Sequence, residues 1–114
     1  MAKRVTIYHN PKCTTSLHVL AMIEQSGAKP KVVEYLKEGW SKSQLKALFA
    51  AAHLTPRDAM RKKAAEELGI SAKATAAQIL DAMVEHPVLV ERPFVESAKG
   101  AVLARPKEKV REVL

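Results

Sequence analysis

The first 36 residues switch between two hydrophobic periodicities, and that switch limits the folds open to the chain. Residues 4–8 alternate, with Val5 and Ile7 on one side, as a half-buried strand does. After His9-Asn10-Pro11-Lys12 the spacing changes. Ser16, Val19, Leu20 and Ile23 fall at i, i+3, i+4 and i+7, which is one face of a helix beginning at Cys13. Gly27 ends that helix, and Val32 to Leu36 reads as a second strand. A strand–helix–strand unit of this kind makes a right-handed crossover between parallel strands.

The middle of the chain is helical. Ser41 and Gln44 form a capping-box pair ahead of Leu45, Leu48, Phe49 and Ala52 at helical spacing. Thr55-Pro56 predicts a short helix carrying Arg57 and Arg61, and Glu66-Glu67-Leu68-Gly69 reads as a helix end. Thr75 and Gln78 repeat the capping pattern before Ala76, Ile79, Leu80 and Met83. His86-Pro87 closes that helix, because the residue before a proline resists the α region. Val88-Leu89-Val90 and Ala101-Val102-Leu103 are then strand candidates, with Lys99-Gly100 as their turn. Pro106 suits the first turn of a last helix through Val110 and Val113. With no repeat or linker in sight, this order predicts one α/β domain over residues 1–114, with a helical block at about 38–86 between the second and third strands.

Cysteine usage narrows the chemistry. Cys13 is the only cysteine, which rules out an internal disulfide and a cysteine-rich zinc site. Free cysteine is commonly inert core filler. Here, though, it stands at a helix start, where orphan N–H groups and the helix dipole favour a thiolate. Its neighbours Lys12, Thr14, Thr15 and Ser16 are polar. In Cys13-Thr14-Thr15-Ser16 the second thiol of a dithiol redox pair is replaced by Ser16, whose hydroxyl can donate to the Cys13 thiolate but cannot resolve a mixed disulfide. A redox cycle on Cys13 must therefore borrow its resolving thiol from outside.

The net charge of +7 points to an anionic partner, whether a small oxyanion, an acidic molecule or nucleic acid. Only Arg61-Lys62-Lys63 forms a basic run, and two Phe, two Tyr and one Trp are a poor base-stacking set, so nucleic acid is disfavoured. No apolar run nears the ~20 residues that span a bilayer, and the stretch from Met1 to Tyr8 is too short for a signal h-region. The expectation is a cytoplasmic chain with no membrane partner.

Several segments together resemble a known family. Tyr8-His9-Asn10-Pro11-Lys12-Cys13-Thr14-Thr15-Ser16 resembles the catalytic loop of glutaredoxin-coupled arsenate reductases. Arg92-Pro93, Arg105-Pro106 and Ala59-Met60-Arg61-Lys62 resemble three further motifs in the family's order, so the likeness runs from Thr6 to Leu114. It implies a thioredoxin-like mixed sheet with a helical insert between the second and third strands. It also implies that Cys13 is the nucleophile, that Arg61, Arg92 and Arg105 hold the oxyanion, that His9 helps to lower the Cys13 pKa, and that Pro93 follows a cis peptide bond. Guanidinium groups suit such a role, being always charged and forked to match oxyanions.

The activity implied is reduction of arsenate to arsenite. The Cys13 thiolate attacks arsenic and displaces an oxygen as water; glutathione reduces the adduct; glutaredoxin clears the glutathione disulfide; and arsenite leaves on hydrolysis. No metal or organic cofactor is required, glutathione being a co-substrate. Two alternatives keep the same fold. One is a glutathione-dependent thiol reductase with little activity on arsenate. The other is a redox-linked regulator that binds RNA polymerase, whose known representatives carry a Cys-x-x-Cys switch that Ser16 removes.

Overall fold

Strand β1 (Arg4–Tyr8) runs inside a four-stranded sheet in the computed structural model, which describes residues 4–114. Met1 to Lys3, which belong to the stretch read for a signal segment, lie outside the described residues. Helix α1 (Thr14–Gln25) leads from β1 to β2 (Lys29–Val33), which pairs with β1 in parallel from Arg4↔Lys29 to Tyr8↔Val33. Helices α2 (Tyr35–Glu38), α3 (Lys42–Ala52), α4 (Lys62–Leu68) and α5 (Ala76–Glu85) come next. Strand β3 (Phe94–Ser97) then returns antiparallel to β1, and β4 (Gly100–Leu103) pairs antiparallel with β3. The order β2-β1-β3-β4, with four helices between the second and third strands, is the thioredoxin-like arrangement expected from the resemblance.

The sheet separates two cores, because β1 is buried on both faces. Val5 and Ile7 pack with Val19 and Ile23 of α1, Val95 of β3, and Val110 and Val113 of a 3-10 helix over Lys107–Val113. That last element was expected as an α-helix. Its buried valines stand three apart, the repeat that a 3-10 helix brings onto one face. On the opposite side Tyr8 and Phe94 pack with Leu45, Leu48 and Phe49 of α3 and with Ile79, Leu80 and Met83 of α5. Both capping boxes form: Ser41 Oγ accepts from Gln44 N–H at 3.1 Å, and Thr75 Oγ1 from Gln78 N–H at 3.2 Å.

Three expectations need correction. Strand β2 lies at 29–33 rather than 32–36, and Tyr35 and Leu36 belong to α2. As a sheet edge, β2 buries only Val33 and guards its open flank with Lys29, Pro30 and Lys31, so the alternation of a buried strand is absent. Val88-Leu89-Val90 is not a strand. Pro87–Leu89 forms a 3-10 turn and Val90 makes a single antiparallel bridge to Met60, while the strand paired with β4 is Phe94–Ser97. Leu89 and Val90 are buried while Val88 is exposed, and a short apolar run does not reveal its own conformation. The helix expected from Thr55-Pro56 is one closed turn, in which Asp58 Oδ2 accepts from Thr55 N–H at 3.0 Å and Thr55 Oγ1 from Asp58 N–H at 3.1 Å. Arg57 lies on this turn and donates to the Ala74 carbonyl, whereas Arg61 is the N-cap of α4.

Phe94 is fully buried where β3 meets α3, its ring centroid 5.6 Å from that of Phe49. We expect Phe94→Ala to cost about 3–5 kcal/mol in urea unfolding, against less than about 0.5 kcal/mol for Val32→Ala on the exposed edge strand. Equal losses would show that the core is not seated where the sheet and α3 place it.

Candidate active site

The loop after β1 is built by its own residues. Asn10 opens a four-residue turn whose second position is Pro11, and the carbonyl of Asn10 accepts from Cys13 N–H at 3.0 Å. Asparagine and proline favour these two positions, one by side-chain bonding and the other by its fixed φ. The Asn10 side chain supplies that bond, its Oδ1 accepting from Lys12 N–H at 3.0 Å. His9 N–H donates to the Val33 carbonyl at 2.8 Å and ties the loop to β2. The result is that Cys13 becomes the N-cap residue of α1, as the helix-start reading predicts.

Opposing effects act on the Cys13 thiol. The residue is 9% exposed, and burial pushes its pKa up. The backbone N–H groups of Ser16 and Thr15 and the guanidinium of Arg92, through charge and hydrogen bonding, pull it down. The pull prevails, and the thiol lies below its ordinary value. No cap bond of full geometry reaches the helix N–H groups, so we regard their effect as that of nearby dipoles.

His9 and Ser16 lie beside the cysteine but face each other. His9 Nδ1 and Ser16 Oγ share a hydrogen bond of 2.6 Å, and Ser16 Oγ also accepts from Asn10 N–H at 3.2 Å. Both side chains are buried. Burial lowers the His9 pKa, with Glu34 opposing, which favours the neutral ring. His9 is not among the groups that shift Cys13, and the bonds made by the Ser16 hydroxyl run to the loop rather than to sulfur. His9 is expected to lower the Cys13 pKa through charge or hydrogen bonding; among side chains, the group that lowers it here is Arg92.

The three arginines come together from distant positions. Arg61, Arg92 and Arg105 line one open cleft of about 490 Å³, with Lys62, Lys63 and Glu91 on its walls. Backbone pairing makes this possible: Arg61 N–H donates to the Leu89 carbonyl at 2.8 Å, and Glu91 N–H to the Ala59 carbonyl at 2.7 Å, on either side of the Met60–Val90 bridge. Arg105 Nη1 donates to the Arg92 carbonyl at 3.0 Å. Peptide bonds 92–93 and 105–106 are both cis. Cys13 is not among the residues that line this cleft; its link to it is Arg92, which acts on the thiol through charge and hydrogen bonding.

Two residues of the site were not singled out from the sequence. Tyr35 is raised in pKa by burial, and its phenol feels Arg92, Cys13 and Arg61, so it lies behind the thiol and the cleft. Trp40 stacks on Tyr35 at 5.4 Å and meets Tyr8 at a tilt at 4.9 Å, which sets the position of the Tyr35 ring. Glu91 is the second, paired with Arg92. Neither has a periodicity or motif signal of its own. Among the described residues no group of three or more His, Cys, Asp and Glu side chains is placed to hold a metal ion, and no helix is long and apolar enough to cross a membrane.

The ArsC family matches residues 8–113. Arsenate reductase ArsI2 of Synechocystis is 56% identical over 96% of this chain and 81% of its own length. An arsenate reductase of Rhizobium meliloti is 50% identical over 96% of this chain and 81% of its own. Among solved structures, an arsenate reductase from Vibrio cholerae superposes with a TM-score of 0.94 at 39% identity, covering 100% of both chains.

The buried His9 yields a testable pH dependence. Its pKa in the fold lies below the ordinary 6.5, so under mildly acid conditions the unfolded chain binds more protons than the native one. The stability due to a neutral His9 is complete above about pH 6.5 and falls as pH drops through that value toward the folded pKa. Urea unfolding at about pH 7.5 and about pH 5.5 should show a smaller acid loss for His9→Asn than for the wild type. An unchanged acid loss would mean that His9 is free to charge in the fold.

Proposed function

The chain belongs to the ArsC family, and from that membership we propose that it reduces arsenate to arsenite, with Cys13 as nucleophile and glutathione and glutaredoxin as sources of electrons. The observation that carries this reading is the pairing of a thiol lowered in pKa with Arg92, which lines one cleft together with Arg61 and Arg105. A thiolate is the reactive form of cysteine. Guanidinium groups present charge and forked donors to a tetrahedral oxyanion. The same groups that hold the anion also lower the cost of its charge as arsenic, oxygen and sulfur exchange bonds.

Atoms and electrons balance at each step. The Cys13 thiolate forms an S–As bond, and an arsenate oxygen leaves as water after taking up protons. Glutathione displaces a second oxygen, also as water, so that arsenic carries two sulfurs. The glutaredoxin thiolate then attacks the glutathione sulfur, and the S–As electron pair stays on arsenic. Arsenic(V) becomes arsenic(III), and two thiols become one disulfide. Water hydrolyses the remaining S–As bond, releasing arsenite and restoring Cys13. The second and third thiols must come from outside because Ser16 fills the place of a resolving cysteine. A cycle that draws on glutathione and leaves Cys13 free suits the reducing cytoplasm.

Each side chain takes its role from its position. Arg92 holds the thiolate and the incoming anion together, Arg61 and Arg105 grip the oxygens from the cleft, and the His9–Ser16 pair keeps the loop in shape. The test is arsenite production from arsenate with glutathione, glutaredoxin and NADPH-driven recycling, for the wild type and for Cys13→Ser. We expect turnover by the wild type and none above background for the variant. If neither protein turns over while Cys13 is still alkylated rapidly near neutral pH, arsenate is the wrong substrate and a general glutathione-dependent thiol reductase takes its place.

A further inference from the structure

The cleft that should attract an anion contains a carboxylate. Glu91 Oε1 accepts from Arg92 Nη1 at 3.0 Å and also from Arg92 N–H at 3.2 Å. Both side chains are largely buried, at 22% and 16% exposure, so this pair is not a loose surface ion pair. Among the described residues it is the only salt bridge made by Arg61, Arg92 or Arg105. Asp58, the other acid on the cleft wall, has its Oδ2 taken up by Thr55 N–H. The remaining charged groups there are Arg61, Lys62, Lys63 and Arg105, all cationic; Cys13 and Tyr35 lie near Arg92 without lining the cleft.

A negative charge in an anion site is unfavourable unless it does something else. Glu91 has a fixed backbone, since its N–H donates to the Ala59 carbonyl, and it presents one oxygen to two donors of the next residue. This takes up Nη1 of Arg92 and holds the plane of the guanidinium. Arg92 Nε is buried with no hydrogen-bond partner, so the fork is not anchored from its other side. We propose that Glu91 is a positioning residue, whose carboxylate oxygen fixes the Arg92 guanidinium so that its free N–H groups face Cys13 and the bound oxyanion. The inference rests on the reading of this cleft as the oxyanion site. Glu91 acts through Arg92 and has no bond to the reacting atoms.

Alanine and glutamine at this position separate positioning from charge. Glu91→Ala removes the acceptor, while Glu91→Gln keeps a side-chain oxygen that can accept from both Arg92 groups and loses only the charge. The readout is the rate of Cys13 alkylation by iodoacetamide against pH, together with the KM for arsenate. In Glu91→Ala the alkylation midpoint should rise, because Arg92 no longer faces the sulfur, and the KM should increase roughly ten- to a hundredfold through misplacement of one charged group. In Glu91→Gln the midpoint should not rise above that of the wild type. Glu91→Met keeps the stem without an acceptor and serves the same purpose if the alanine variant does not fold.

An alkylation midpoint unaltered by alanine and methionine overturns the proposal. So does an equal upward shift in the glutamine variant, which would make charge rather than bonding the cause. Alkylation needs no arsenate, so its outcome is separate from that of the functional reading. A wild type inert toward arsenate whose thiol still responds to Glu91→Ala would remove the substrate and keep the role of Glu91.

Discussion

Two main-chain hydrogen bonds hold the functional end of this molecule together. Arg61 N–H to the Leu89 carbonyl and Glu91 N–H to the Ala59 carbonyl flank the Met60–Val90 bridge and bind the start of α4 to the segment entering β3. Without them Arg61 and Arg92 would sit on separate loops. With them, the helical insert and the sheet present their arginines to a common cleft, and the Arg92 carbonyl receives Arg105 from beyond β4. These bonds use backbone atoms, so the scaffold does not depend on the charged side chains it positions. Those side chains are accordingly open to recognition and chemistry.

The thiol is governed by a balance rather than a single effect. Burial alone would hold Cys13 protonated, and the N-terminal N–H groups of α1 together with Arg92 reverse that. Burial acts on His9 in the other direction by removing its charge, which leaves an uncharged bond to Ser16 to brace the loop. The site thus divides its work. Polar but uncharged groups shape the turn around Asn10 and Pro11, and permanently charged guanidinium groups supply the field. Arginine is suited to that division because it keeps its charge under burial that would neutralise histidine.

Much of this was legible in the residues, and the failures have physical causes. Strand β1, helix α1 and the N-cap position of Cys13 follow from a change of periodicity at a turn whose residues are specific for it. The capping boxes at Ser41 and Thr75 are local chemistry and were readable for that reason. Strand β2 was displaced because an edge strand need not alternate, and Val88-Leu89-Val90 misled because a turn that buries Leu89 and Val90 leaves the same apolar signal as a strand. Of the site, Cys13 stands out by its place at a helix start, Arg61, Arg92 and Arg105 by motif resemblance, and the cleft does gather the three arginines. Tyr35 and Glu91 were missed because their roles depend on contacts between elements, which leave no pattern along the chain. His9 was found, but its partner and its charge state belong to the folded loop alone.

The central claim is that Arg92, together with the N–H groups of Ser16 and Thr15 and not a charged His9, holds the Cys13 thiol below its ordinary pKa. The direct test is the pH midpoint of Cys13 alkylation in Arg92→Ala beside the wild type. The predicted result is a midpoint below that of an ordinary thiol in the wild type and clearly higher in the variant. The same midpoint in both proteins would contradict the claim, because the thiol would then owe its shift to the backbone N–H groups alone.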